Sequence, residues 1–203
     1  MSFRIALSAA AMTVVMTQAA SAAMVTFTDN TLWTSFSTAQ GSSVATETFN
    51  AYNGFYTNGL TGNAGGIQWT ATAPGNLYAG LGYMSTNNAE ALLTFNLSPS
   101  VQGVGGNFFS TDASFNFLTA IIGVSLADGS AYLGFASSPA AFIGFYSTGA
   151  AISSISVSVA GALPAGTNFA TVDNLSFAVP VPAPGAFALI GVAGLVGISR
   201  KRR

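Results

Sequence analysis

The sequence contains no cysteine and no histidine, and charged residues make up only 5% of it. Without cysteine, no disulfide framework can form. Without either residue, the Cys-His and Ser-His pairs of nucleophilic catalysis are excluded. Cations are confined to the two ends of the chain, because the five basic residues are Arg4, Arg200, Lys201, Arg202 and Arg203. The long stretch between them is a poor match for nucleic acid, whose phosphates are bound mainly by lysine and arginine.

The central stretch holds all the acidic residues, which are Asp29, Glu47, Glu90, Asp112, Asp128 and Asp173. No salt bridge can form within it, and its weakly anionic surface repels anionic polysaccharide unless cations bridge the two. The absence of lysine also excludes Schiff-base chemistry there. Glycoside hydrolysis by Glu47 and Glu90 is the catalytic alternative that remains. We expect the body of the protein, residues 23–179, to be non-catalytic.

The first 22 residues have the pattern of a secretory signal peptide. Arg4 precedes a largely apolar segment, and Ala20-Ser21-Ala22 matches an A-x-A cleavage site. The pattern predicts export by the Sec pathway, with cleavage after Ala22.

The C-terminal segment, residues 180–203, has three parts. Pro182, Ala183 and Pro184 form a stretch that disfavours helix, Gly185 opens an apolar run to Ile198, and the chain ends on the basic tail Arg200, Lys201, Arg202 and Arg203. The apolar run is shorter than the roughly 20 residues that span a bilayer comfortably. The tail is expected to stay on the cytoplasmic side.

This order of Pro-x-Pro, short apolar helix and basic tail resembles the PEP-CTERM sorting signal of Gram-negative bacteria, with Ala183 where that family has glutamate. The resemblance implies processing by exosortase, transient tethering in the inner membrane, and a final place at the cell surface or in an extracellular matrix with exopolysaccharide. A plain C-terminal membrane anchor is the alternative.

Alternation of apolar and polar residues recurs through residues 23–179 and is cleanest where Ile155, Val157 and Val159 are separated by serines. Such alternation is typical of antiparallel strands with one buried face. It predicts an all-β fold: one antiparallel two-sheet β-sandwich of jelly-roll type over residues 23–179, with the signal peptide before it and the short apolar helix after it. Asp128-Gly129 predicts a hairpin turn, and residues 30–38 predict a helix capped by Asp29 or Asn30.

Two turn-rich stretches, residues 50–66 and 74–90, are predicted to be long loops. The segments Thr46-Glu47-Thr48-Phe49 and Val172–Phe177, among others, also resemble the bodies of other PEP-CTERM proteins, which implies a jelly-roll sandwich similar to carbohydrate-binding domains.

The first turn-rich stretch holds the candidate ligand-binding residues Tyr52, Asn53 and Tyr56, where aromatic rings lie beside amides as sugar binding requires. Tyr78 and Tyr83 lie in a similar setting in the second stretch. The alternative is that these rings pack the ends of the sandwich. Trp33 and Trp69 are predicted to belong to the core.

Asp112 and Asp173 are the candidate metal ligands. Strict alternation in the last strand would point Asp173 inward unless a bulge at Asp173-Asn174 restores the pattern. A buried carboxylate without a cationic partner needs backbone N–H donors or a metal. Calcium is the cofactor we weigh here, and local hydrogen bonding is the alternative.

Two functions follow for the body. It is a structural component of a matrix or envelope, or it is a carbohydrate-binding module, with calcium dependence as an option.

Overall fold

The computed structural model describes residues 23–161 and 167–181, which form two antiparallel β-sheets and one helix. The predictions for residues 1–22 and 182–203, including the cleavage site and the sorting signal, lie outside the described residues. In chain order the elements are β1 (Met24–Phe27), α1 (Asn30–Ala39), β2 (Ser42–Glu47), β3 (Gly54–Tyr56), β4 (Leu60–Ala64), β5 (Ile67–Thr72), β6 (Leu77–Gly80), β7 (Tyr83–Thr86), β8 (Leu93–Leu97), β9 (Gly103–Thr111), β10 (Phe117–Leu118), β11 (Ala120–Leu126), β12 (Ala131–Ala136), β13 (Phe142–Ser147), β14 (Ser154–Ala160) and β15 (Phe169–Pro180).

The first sheet has nine strands, with the order β1-β13-β9-β15-β7-β6-β3, β10 added on β9 and β2 added on β15. The second sheet has six strands in the order β12-β11-β14-β8-β5-β4. Strand β15 is long enough to pair with β7 along its first half and with β2 along its second half. All strand pairs are antiparallel.

The two sheets pack face to face over one apolar core. Trp69 and Phe95 of the second sheet and Phe108 and Phe177 of the first are buried in the same cluster. Burial of this apolar surface is the main driving force for the fold. The prediction of a two-sheet antiparallel β-sandwich is confirmed.

The alternation seen in the sequence has its expected structural meaning. Along β14, Ile155, Val157 and Val159 are buried, while Ser158 is exposed on the outer side. The Ser156 hydroxyl lies 2.9 Å from that of Thr94 on the neighbouring strand. Hydroxyls thus take the place of charges on this outer face.

Helix α1 packs on the outer face of the first sheet and begins where the sequence predicts. Asp29 is the N-cap, and its carboxylate accepts a hydrogen bond from the Leu32 amide at 2.8 Å. Trp33 is fully buried beneath the helix, and its indole N–H donates to the carbonyl of Phe145 at 3.0 Å. The core positions predicted for Trp33 and Trp69 are confirmed. Over the described ranges no helix is long and apolar enough to cross a bilayer.

The prediction of two long loops is wrong. Residues 50–66 contain β3 and β4, and residues 74–90 contain β6 and β7. These strands are short and rich in glycine and polar residues, so their local preference for strand is weak. They form strands because neighbouring strands of each sheet supply partners for their backbone hydrogen bonds. Tertiary context of this kind overrides the local β-propensity of a segment.

The hairpin turn is as predicted, and of the two alternatives for Asp173 the structure contains the bulge. Asp128-Gly129 turns β11 into β12, and the Asp128 carboxylate accepts hydrogen bonds from the amide and the hydroxyl of Ser130. In β15 the pairing register shifts between Asp173 and Ser176, where Asn174 has a φ of 50°. This bulge lets residues 172 and 175 both face the core.

Candidate functional site

Four aromatic side chains meet at the β3 end of the first sheet, and three of them come from adjacent strands. Phe55 on β3 pairs directly with Tyr78 on β6, and their ring centroids lie 4.8 Å apart at an interplanar angle of 72°. Phe115, in the loop after β9, lies 5.2 Å from Tyr78 and 6.4 Å from Tyr83 of β7. The residues on either side of Tyr78 in β6 are buried in the core. The alternation of the strand therefore places the Tyr78 ring on the outer face of the sheet.

Tyr78 and Phe115 form a wall shared by two clefts, and this pair is called the aromatic wall below. The first cleft has a volume of about 410 Å³ and is lined by Phe55, Tyr78, Ser85, Thr86, Asn87, Asp112, Ala113, Ser114, Phe115 and Phe169. The second has a volume of about 520 Å³ and is lined by Asn50, Tyr52, Asn53, Tyr78, Gly80, Leu81, Gly82 and Phe115. Each volume lies in the range of small-molecule sites.

A row of buried hydroxyls lies beside the first cleft. The Ser85 and Thr171 hydroxyls are 2.9 Å apart, and the Thr171 and Thr111 hydroxyls are also 2.9 Å apart. The three residues come from β7, β15 and β9, which are adjacent in the sheet. Of this hydroxyl row (Ser85, Thr171 and Thr111), only Ser85 lines the first cleft, and the two threonines are buried in the sheet. The buried hydroxyl of Thr86, another lining residue, has no hydrogen-bond partner among the described residues, which leaves a donor unused there.

The loop that carries Phe115 is held in shape by Asp112. One carboxylate oxygen accepts hydrogen bonds from the amides of Ser114 at 2.8 Å and Asn116 at 2.9 Å, and the other accepts from the Asn116 side-chain amide at 2.9 Å. These hydrogen bonds, chiefly those from Asn116, lower the pKa of Asp112 below its ordinary value. Phe115 itself has a φ of 62°, a left-handed conformation that turns the chain back toward β10.

The clefts carry almost no charge. Of their lining residues, Asp112 is the one that is ionised at neutral pH, and no lysine, arginine or histidine occurs between residues 5 and 199. Aromatic rings, amides and hydroxyls are left to make contacts. Such a surface can stack on apolar ring faces and exchange hydrogen bonds with neutral hydroxyls. It has no cation with which to hold a phosphate or carboxylate.

Two of the three predicted ligand-binding residues line a cleft. Tyr52 and Asn53 line the second cleft. Tyr56 lines neither cleft, and its hydroxyl accepts a hydrogen bond from the Asn53 amide at 3.2 Å. Tyr52 also packs edge-on against the core residue Trp69, with ring centroids 5.7 Å apart. The ring of Tyr52 therefore contributes to packing as well as lining the cleft. Burial, followed by the nearby Glu47 carboxylate, raises the pKa of Tyr52.

The two candidate metal ligands lie in different settings. Asp112 lines the first cleft, whereas Asp173 lies in the bulge of β15 and lines neither cleft. Asp173 accepts hydrogen bonds from the Asn174 amide at 2.6 Å and from the Asn174 side chain at 2.9 Å. Both carboxylates thus have local donors. Within residues 23–161 and 167–181, no three acidic side chains gather in a metal-binding arrangement. Calcium stays a prediction.

The two glutamates weighed for glycoside hydrolysis lie outside both clefts. The Glu47 carboxylate accepts hydrogen bonds from the Phe49 amide at 2.9 Å and from the Trp69 indole at 3.2 Å. Glu90 lies in a turn after β7, and its amide donates to the Asn168 carbonyl at 2.7 Å. The bonds made by Glu47 fasten β2 to the core.

Sequence reasoning missed Phe115 and the hydroxyl row. Phe115 is separated from Tyr78 by several strands, so periodicity alone cannot bring the two together. One signal was present: aspartate, serine and asparagine at positions 112, 114 and 116 are typical of a tight turn that presents the residue between the last two.

No protein-family model matches the chain, and no curated protein sequence matches it either. Among solved structures, the fold is similar to a mutant of CBM29-2, a family 29 carbohydrate-binding module whose mechanism of ligand recognition was probed. The likeness covers 68% of this chain and 87% of the module, at 10% sequence identity and a TM-score of 0.35. At that TM-score it carries no argument about a ligand, so a function for this chain depends on its own cleft residues.

Proposed function

We propose that this protein is an exported, non-catalytic surface or matrix protein whose β-sandwich binds glycans at the aromatic wall. The observation that carries the proposal is the pair of clefts that share Tyr78 and Phe115. A polysaccharide chain can cross the aromatic wall and place neighbouring sugar rings in the two clefts. No histidine, cysteine or lysine is available there to support nucleophilic or Schiff-base catalysis.

The physical basis is ring stacking with hydrogen bonding around it. The C–H faces of a pyranose are apolar and match the face of an aromatic ring, while its hydroxyls need partners such as the amides of Asn53 and Asn87. Phe55 is 66% exposed on an edge strand, so its ring is available for such stacking. An exposed aromatic side chain beside convergent polar groups is typical of a binding site.

The test compares two exposed phenylalanines on edge strands. Phe55→Ala removes a ring at the first cleft, and the matched control Phe135→Ala removes a ring of similar exposure, 73%, from β12 on the other sheet. Binding to a panel of soluble polysaccharides and their oligosaccharides is measured by isothermal titration calorimetry. We expect Phe55→Ala to weaken binding about tenfold, which corresponds to about 1.4 kcal/mol, and Phe135→Ala to leave it unchanged. Equal effects of the two variants would overturn the assignment of the site.

The route to the surface is a separate part of the proposal. The signal peptide at residues 1–22 would direct export, and exosortase would process the C-terminal signal at Pro182, Ala183 and Pro184 after transient tethering in the inner membrane. The support is the sequence pattern described above. Intact mass of the protein recovered from envelope and medium tests it: both end segments should be missing. A mass that retains Arg203 would instead indicate a permanent membrane anchor. Replacement of Arg200 to Arg203 by neutral residues should impair processing.

A structural role in the matrix is the second candidate, and one feature favours it. Strand β12 is an edge strand of the second sheet, and its Leu133 and Phe135 side chains are 76% and 73% exposed. Edge strands without charges are open to pairing with another chain. Sedimentation velocity of the wild type and of Phe135→Lys tests this: self-association lost in the variant supports the role, and a monomer at all concentrations contradicts it.

A further inference from the structure

Among the residues that line the two clefts, one carries a formal charge, and the Glu47 carboxylate lies outside the clefts near Tyr52. Asp112 lines the first cleft beside Phe115, and the other residues that line the two clefts are neutral side chains or glycines. Its carboxylate is held by the Ser114 and Asn116 amides, so its position relative to the aromatic wall is set by the loop itself. Lysine, arginine and histidine do not occur between residues 5 and 199, so no side chain of the described residues offsets this charge with a cation.

We propose that the clefts discriminate against anionic polysaccharides, and take uncharged hexopyranose chains, because the Asp112 carboxylate lies beside the aromatic wall without a compensating cation. This inference rests on the proposed glycan binding and names its ligand class. A uronate or sulfate group on a sugar stacked at the aromatic wall is brought close to Asp112 and is repelled. Neutral hydroxyls meet only amides, hydroxyls and one acceptor carboxylate, and make no unfavourable charge contact.

Two further observations support the inference. The hydrogen bonds from Asn116 and Ser114 keep the pKa of Asp112 low, so that the carboxylate stays charged in mildly acidic as well as neutral surroundings. Uncharged polar groups also line the first cleft, among them the side chains of Asn87 and Ser114. The lining is thus polar enough for sugar hydroxyls and contains no cationic side chain.

The decisive variant is Asp112→Asn, which removes the charge and keeps a side-chain oxygen that can accept from the Ser114 and Asn116 amides. The matched control is Asp128→Asn. Asp128 also accepts from a backbone amide two residues on, but it belongs to the β11–β12 turn and lines neither cleft. The two variants have the same net charge, so only the position of the lost carboxylate differs between them.

The probes are two pairs of polymers with matched backbones: hydroxyethyl cellulose with carboxymethyl cellulose, and guar galactomannan with its C6-oxidised form. Affinities are measured at about 20 mM and about 200 mM salt, below and above the concentration at which the screening length is about 10 Å. We expect the wild type to prefer the neutral member of a pair. Asp112→Asn should raise the affinity for the anionic member about threefold or more at low salt, with little change at high salt. Asp128→Asn should match the wild type.

Failure of this inference is distinguishable from failure of the proposed function. Wild-type protein that binds both members of a pair equally at low salt, with no change in Asp112→Asn, would overturn the inference and leave glycan binding in place. The inference is also overturned if Asp128→Asn has the same effect as Asp112→Asn, because the charge of the whole surface would then be responsible. Wild-type protein that binds none of the polymers overturns the glycan-binding proposal itself.

Discussion

Tyr78 and Phe115 lie with ring centroids 5.2 Å apart, although one belongs to β6 and the other to the loop after β9. The contact joins a strand near the edge of the first sheet to a loop that starts near its centre. It turns what would be one open surface into two clefts.

The aromatic wall gives the first prediction. Phe115→Asn removes the ring and places at position 115 a residue that tolerates the left-handed conformation found there. We expect glycan affinity to fall about three- to tenfold, as for the loss of an aromatic contact worth about 0.5–1.5 kcal/mol, with a small decrease in the thermal midpoint because the ring also packs against Tyr78. Calorimetric titration and thermal unfolding measured together check this. Unchanged affinity would mean that Phe115 is packing only.

The stabilisation of the loop by Asp112 should be lost in acid. Its folded-state pKa lies below the ordinary value of 3.8, so the ionised form makes a stabilising contribution that is fully present above pH 3.8. The contribution is lost as pH falls below 3.8 and through the folded-state pKa. Amide NMR signals of Ser114 and Asn116, followed from about pH 6 to about pH 2, should shift only at the acidic end. In Asp112→Asn the transition should be absent. A midpoint above 3.8 would contradict the prediction.

The pKa of Asp173 is shifted in the opposite direction, so its effect on stability should have the opposite pH dependence. Burial in the bulge of β15 raises its pKa above 3.8, which means that folding disfavours its charged form. The stability associated with its protonated form is present below pH 3.8 and is lost as pH rises through the raised pKa. Asp173→Asn keeps an oxygen that can accept from the Asn174 amide and should raise stability at neutral pH. Because the group is partly exposed, the gain should not exceed about 1 kcal/mol.

Urea unfolding at neutral and acidic pH measures this effect. The difference between Asp173→Asn and the wild type should shrink as the pH is lowered. Loss of stability at neutral pH would show that the hydrogen bond from the Asn174 side chain, which the variant gives up, or a bound cation compensates the Asp173 charge, and repeating the measurement with added calcium would distinguish the two.

Trp33 should be a principal support of the helix on the first sheet. Trp33→Ala removes a fully buried ring and the hydrogen bond to the Phe145 carbonyl, and should cost about 3–5 kcal/mol of unfolding free energy. Leu32→Ala, at the adjacent helical position, alters a side chain that is 63% exposed and should change stability by about 0.5 kcal/mol or less. Chemical unfolding of both variants checks the contrast, and equal losses would contradict the packing seen here.

The alternation of apolar and polar residues was enough to predict the sandwich, because a strand with one buried face must repeat every two residues. On β14, burial follows that pattern from Ser154 to Val159. The N-cap at Asp29 and the turn at Asp128 were equally readable, since each depends on contacts within a few residues. The lack of cationic side chains in the clefts follows from the sequence alone, because no lysine, arginine or histidine occurs between residues 5 and 199.

Tertiary structure decided the remainder. The glycine and asparagine content of residues 50–66 and 74–90 predicts loops, but the structure has strands there: β3, β4, β6 and β7. These strands form because neighbouring strands supply the partners for their backbone hydrogen bonds. The sequence left two alternatives at Asp173-Asn174, a bulge or an inward-pointing carboxylate. The pairing of β15 with β9 decides for the bulge. The aromatic wall depends on the strand order, which brings distant residues into contact for reasons that no local pattern contains. Local chemistry thus determined the type of fold, and the long-range pairing of strands determined where its clefts lie.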